Sequence, residues 1–117
     1  MSVRIEKVNS QMLQTLSIIL QREMPSECGL VNINAVQTSS DITMAKVYYG
    51  VLGDETQTTM AQAWIEKHTK TVQHHLSQEL RHMRRVPQLR FIYDEGSQHS
   101  IRVTQILDEL KRQEEER

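Results

Sequence analysis

This chain of 117 residues is poor in the residues that most often carry chemistry: one cysteine, two prolines, four glycines and only 4% aromatics. A lone Cys28 cannot form an intramolecular disulfide, so the fold must rest on an apolar core, and a reducing compartment suits it. The few glycines build no phosphate-cradling loop, and neither a serine-nucleophile elbow nor a paired-cysteine motif is present. No stretch approaches the roughly 18 uninterrupted apolar residues that a membrane span requires. The N-terminal stretch mixes Arg4, Glu6 and Lys7 into its apolar pattern, which argues against a secretory signal. These absences exclude most routes to an enzyme, a membrane protein or a disulfide scaffold.

What is present is the balance of one small globular domain, with 38% hydrophobic and 25% charged residues. The net charge is −1, but the charges are unevenly placed. Residues 66–90 hold Lys67, Lys70, Arg81, Arg84, Arg85 and Arg90 against Glu66 and Glu79, a local excess of +4. A polyanion responds to local potential over a Debye length of about 10 Å, not to the total charge.

Periodicity places the elements. Ile5, Val8, Met12, Leu16, Ile19 and Leu20 keep the three-and-four spacing of a helix over residues 3–24. Pro25 and Gly29 then turn the chain. Val31, Ile33 and Ala35 alternate as a strand over 31–38, with Val36 out of phase as a bulge would leave it. Residues 43–52 form a second strand, with Ala45, Val47, Tyr49 and Val51 on one face and Met44, Lys46, Tyr48 and Leu52 on the other. Asp54 or Thr56 is placed to cap the helical region that follows. Met60, Ala61, Trp64 and Ile65, with His68 as a candidate fifth member, make a first apolar face, and Val72, Leu76, Leu80 and Met83 a second. Between them His68-Thr69-Lys70-Thr71 interrupts the rhythm, which predicts a break or kink between two helices, the second ending near residue 85. Pro87 stops it, and Leu89, Phe91 and Tyr93 alternate as a third strand. A last helix is expected from Ser97 or Ser100, with Val103, Ile106, Leu107 and Leu110 as its stripe. The reading is an α+β domain with a small three-stranded sheet covered by helices on one face. It forms a single domain over residues 1–110, with a charged, frayed tail at 111–117.

Candidate chemistry concentrates in the basic segment. His75, Glu79 and His82 share a helix face, but the two histidines stand about 10 Å apart along the axis, too far to share one metal ion. No catalytic or metal site is expected. Arg81, Arg84 and Arg85 would occupy the last helical turn, with Lys67, Lys70, His74 and His75 extending the polar run back to the junction. A kink there would expose the N–H groups of a helix N-terminus, which bind phosphate well. Cations beside such a terminus describe a groove for an RNA backbone.

The residues also resemble a known family. S-D-I-T-M-A-K-V-Y-Y (40–49), Val51-Leu52-Gly53 and R-R-V-P-Q-L-R-F-I-Y-D (84–94), after an opening amphipathic helix with Arg4, are similar to the ribosome-binding factor A family of bacteria. The resemblance spans nearly the whole chain. It implies a type II KH-like domain of order α-β-β-α-α-β, here followed by a C-terminal helix. It also implies a non-catalytic role in maturing the small ribosomal subunit and its 16S rRNA. Its short alanine-any-glycine kink falls on His68-Thr69-Lys70, where this chain has neither the small residue nor the glycine. Lys67, His68, Thr69, Lys70, His74, Arg81, Arg84 and Arg85 are thus the expected RNA-binding residues. No cofactor, membrane or small-molecule substrate is expected, and the chain is expected to be cytoplasmic and monomeric when free. The competing reading is a protein-interaction module that has lost RNA binding and uses Met44, Tyr48 and Leu52.

Overall fold

The computed structural model describes residues 3–94. The elements are α1 (Val3–Glu23), a 3-10 turn (Ser26–Cys28), β1 (Leu30–Thr38), β2 (Met44–Leu52), α2 (Glu55–Glu79) and β3 (Gln88–Tyr93). The α+β class and the order of elements agree with the sequence pattern. The expected C-terminal helix and tail lie outside the described residues.

One difference falls in the middle of the chain. In place of two helices meeting at 68–71, α2 runs unbroken for 25 residues. The apolar rhythm is not interrupted at the junction, because Thr69 occupies the inward slot between Ile65 and Val72. It is half-buried, and its hydroxyl donates to the Ile65 carbonyl at 2.6 Å, so no polar group is left unsatisfied. At position 70 the chain has lysine, which favours helix over glycine by about 1 kcal/mol. The helix begins on a capping box: Gln57 N–H donates to the Asp54 carboxylate (2.8 Å), and Asp54 N–H donates to Gln57 Oε1 (2.9 Å). It ends at Leu80, well before Pro87, so the second helix stops earlier than the spacing predicts.

The sheet order is β1-β2-β3, with β2 antiparallel to β1 and parallel to β3. Ile33 pairs with Tyr49 and Ala35 with Tyr48, so Asn34 is the extra residue of a bulge. That bulge returns Val36 to the inner face, opposite Val47, where it is buried. Gly29, at φ 72°, makes the tight approach into β1; a Cβ there would meet the Leu52 carbonyl oxygen at 2.9 Å.

Both helices cover the inner face. Met12 and Leu16 of α1 are fully buried at 0% exposure, among Val36, Ala45, Val47, Val72, Leu76 and Leu89. Truncating one such leucine to alanine costs about 2–5 kcal/mol. A second cluster joins Cys28, Tyr49, Val51, Ala61 and Ile65. Burial there raises the Cys28 thiol pKa, with Glu27 adding to the effect. On the other face Met44 and Leu52 are exposed and Tyr48 is half-buried.

Candidate nucleic-acid interface

The structure divides the expected RNA-binding residues into three groups. Lys67, Lys70 and His74 are exposed at three-and-four spacing along one stripe of α2. Arg81 is exposed in the turn that follows the helix.

His68 and Thr69 do not belong to that surface. The His68 ring stacks on Trp64 with centroids 4.2 Å apart and planes 17° from parallel, and its Nδ1 donates to the Trp64 carbonyl at 2.8 Å. Thr69 is turned inward as described above. Because α2 is continuous, there is no helix N-terminus at residue 70 and no set of free N–H groups for phosphate. In place of the expected groove at a kink there is a cationic stripe on a continuous helix.

Arg84 and Arg85 form the third group, and they lie beyond α2 in the segment leading to β3, not in a helical turn. That segment turns through Met83 N–H donating to the Leu80 carbonyl at 2.9 Å. It enters β3 beside the start of β2, because the parallel register pairs Met44 with Gln88, and Gln88 N–H donates to the Thr43 carbonyl at 2.9 Å. The arginines therefore arrive at the β1–β2 turn. With Arg4 of α1 they line a notch of about 390 Å³ over Ser40, Asp41 and Ile42. Sequence reasoning left Arg4 and the turn without a role. Arg4 already stood among the family-matching positions, but nothing local in the sequence ties it to Arg84.

Two further described histidines, His75 and His82, contact α1. His75 Nδ1 lies 2.7 Å and 2.8 Å from the two Glu23 carboxylate oxygens, and Arg22 reaches Glu23 (3.7 Å) and Glu79 (3.9 Å), joining the ends of α1 and α2. Gln11 Nε2 donates to His82 Nε2 at 3.1 Å. Among the described residues no group of three or more His, Cys, Asp or Glu could hold a metal ion, and no helix is long and apolar enough to cross a membrane.

A small KH-like α+β domain with an exposed cationic stripe on its long helix and an arginine-lined corner is the class that this fold and surface define. The family model of ribosome-binding factor A matches residues 4–107. Ribosome-binding factor A of Chlorobium limicola is 35% identical, over 99% of this chain and 98% of that protein. That of Chlorobaculum tepidum is 33% identical, over 95% and 93%. The chain belongs to the ribosome-binding factor A family. Among solved structures, the crystal structure of the Thermus thermophilus protein aligns with a TM-score of 0.64 at 22% identity, covering 76% of this chain and 94% of that one. The solution structure of a putative ribosome-binding factor A from Thermotoga maritima gives 0.63 at 22% identity, covering 80% and 90%. A Thermus thermophilus homology model fitted into a cryo-EM map of a complex with the 30S subunit gives 0.62 at 24% identity, covering 75% and 92%.

Proposed function

We propose that this protein binds immature small ribosomal subunits and assists maturation of their 16S rRNA, acting in the cytoplasm without catalysis, cofactor or small-molecule substrate. The observation that carries this reading is family membership along nearly the whole chain, joined to a relative of the same fold fitted in complex with the 30S subunit. Lys67 and Lys70 supply exposed cations beside His74 on α2, Arg81 adds one in the turn that follows, and Arg84 and Arg85 form a second cluster. Such groups meet phosphates and set register on the RNA without reading its bases. The sparse aromatics fit this mode, since among the described residues Tyr48 is the aromatic side chain on the outer sheet face.

The test is co-sedimentation of the chain with immature and mature small subunits at two salt concentrations. The expected outcome is preferential binding to immature particles that weakens as salt rises. A triple Lys67→Ala, Lys70→Ala, Arg84→Ala variant loses affinity, and its log–log salt slope falls by roughly one unit per phosphate contact removed. Binding unchanged in that variant would overturn this placement of the surface.

The exposed Met44 and Leu52 favour a second reading, in which the sheet face binds a protein partner. It predicts salt-insensitive association that is lost in Met44→Asp and Leu52→Asp variants.

A further inference from the structure

The β1–β2 turn is organised by its own polar side chains. The Asp41 carboxylate accepts from the Ser39 hydroxyl (2.7 Å), the Thr43 hydroxyl (2.7 Å) and the Thr43 N–H (3.2 Å). Ile42 adopts φ 58°, a region that β-branched residues rarely enter, and is buried even so. A residue persists there only where its surroundings over-determine it, and the Asp41 hydrogen bonds and the burial of Ile42 supply that restraint.

Three arginines from distant parts of the chain converge on that turn. Arg4 comes from the first turn of α1, and Arg84 and Arg85 from the segment between α2 and β3. Arg85 Nη1 donates to the Asp41 carbonyl at 3.3 Å, which anchors one guanidinium at the rim. Among the described residues neither Arg84 nor Arg85 pairs with a carboxylate, whereas Arg22 at the far end of α1 pairs with Glu23 and Glu79. The notch is thus lined by three arginines beside a turn held by the hydrogen bonds of the Asp41 carboxylate.

We infer that this notch seats a phosphate of the RNA backbone, with Arg4 and the Ser40–Ile42 turn joining Arg84 and Arg85 in the binding surface. The inference rests on the RNA-binding reading above for the source of that phosphate. Guanidinium groups are well matched to such a ligand, because their planar forks fit phosphate oxygens and they are more weakly hydrated than ammonium groups. The concavity adds what the α2 stripe lacks, a defined position for one phosphate. Register on the RNA would be set at this corner, and the stripe would add attraction along the helix.

The test is an NMR titration of the full chain with inorganic phosphate and, separately, with a uridine decanucleotide. The Ser40 and Ile42 amides and the arginine Nε–H groups are followed, in the wild type and in Arg4→Gln, Arg84→Gln and Arg85→Gln variants whose amide spectra confirm the fold. Saturable shifts at the notch are expected with both probes and are lost in the Arg84 and Arg85 variants. The salt slope for the oligonucleotide falls by about 0.7 for each arginine removed. Motionless notch signals, or equal oligonucleotide binding in all variants, would overturn the inference and leave RNA contact to the α2 stripe. Notch shifts with phosphate alone would mark an anion site that RNA does not use, which also overturns it. Failure of the wild-type chain to sediment with small subunits at low salt sinks the functional reading instead, and the two titrations still decide the notch.

Discussion

Gln73, in the C-terminal part of α2, holds the start of β3 through its side-chain amide: the Leu89 N–H donates to Gln73 Oε1 at 2.7 Å. The same amide donates from Nε2 to the Pro87 carbonyl at 3.1 Å. One glutamine thus ties the helix bearing the cationic stripe to the strand that follows the arginine corner.

Replacing Gln73 with alanine leaves a part-buried backbone donor and a carbonyl without this partner. The expected loss is about 1–3 kcal/mol, read as a lower urea midpoint with an unchanged slope. A midpoint equal to the wild type would show that water replaces the amide at no cost.

Lys70→Gly tests the continuity of α2. Position 70 is exposed in an unbroken helix, so glycine there costs about 1 kcal/mol while Lys70→Ala is close to neutral. Equal urea midpoints for the glycine and alanine variants would mean that the backbone at 70 is not helical in solution.

Tyr49 supplies an alkaline transition. Burial raises its hydroxyl pKa from 10.0 to about 12, with Tyr93 and Glu66 adding to the effect. The folded state therefore holds this proton more tightly than the unfolded chain does. The contribution is fully present below pH 10.0 and is lost as pH rises through about 12. Tyrosinate absorbance of the native protein should show a late-titrating component, and Tyr49→Phe should remove it. A late component unchanged or absent in both proteins would contradict this.

Asp41 behaves in the opposite sense. Hydrogen bonds from Thr43 and Ser39 lower its pKa below the ordinary value of 3.8. The turn is therefore fully supported above that value and loosens as pH falls through the depressed one. The Asp41 carboxyl carbon shift, followed by NMR in acid, should have its midpoint below 3.8, and Thr43→Val should raise it. A midpoint unmoved by that substitution would mean that the Thr43 hydroxyl does not hold the carboxylate.

Much of the architecture is legible in local chemistry. The α1 stripe from Val8 to Leu20 is buried as its spacing requires, and the out-of-phase Val36 marks the bulge at Asn34. Asp54 caps α2, and the Val86-Pro87 step leads into β3. The expectation of a broken helix fails for an equally definite reason. Threonine reads as an interruption in a pattern of residue types, yet in the folded chain Thr69 satisfies its hydroxyl on Ile65 and stays in the apolar slot. The helix N-terminus expected at the kink is absent with it, and the His68 ring stacks on Trp64.

By itself, then, the sequence determined which segments are helix or strand, which faces are apolar, and where positive charge concentrates. Those properties depend on neighbours a few positions away, and short-range periodicity records them. Only the tertiary structure decided that Arg4 meets Arg84 and Arg85. That meeting requires β3 to lie parallel to β2, with Gln88 beside Met44 and the preceding segment against the β1–β2 turn. Strand order and register are set by packing across the whole core, and no spacing within one segment encodes them.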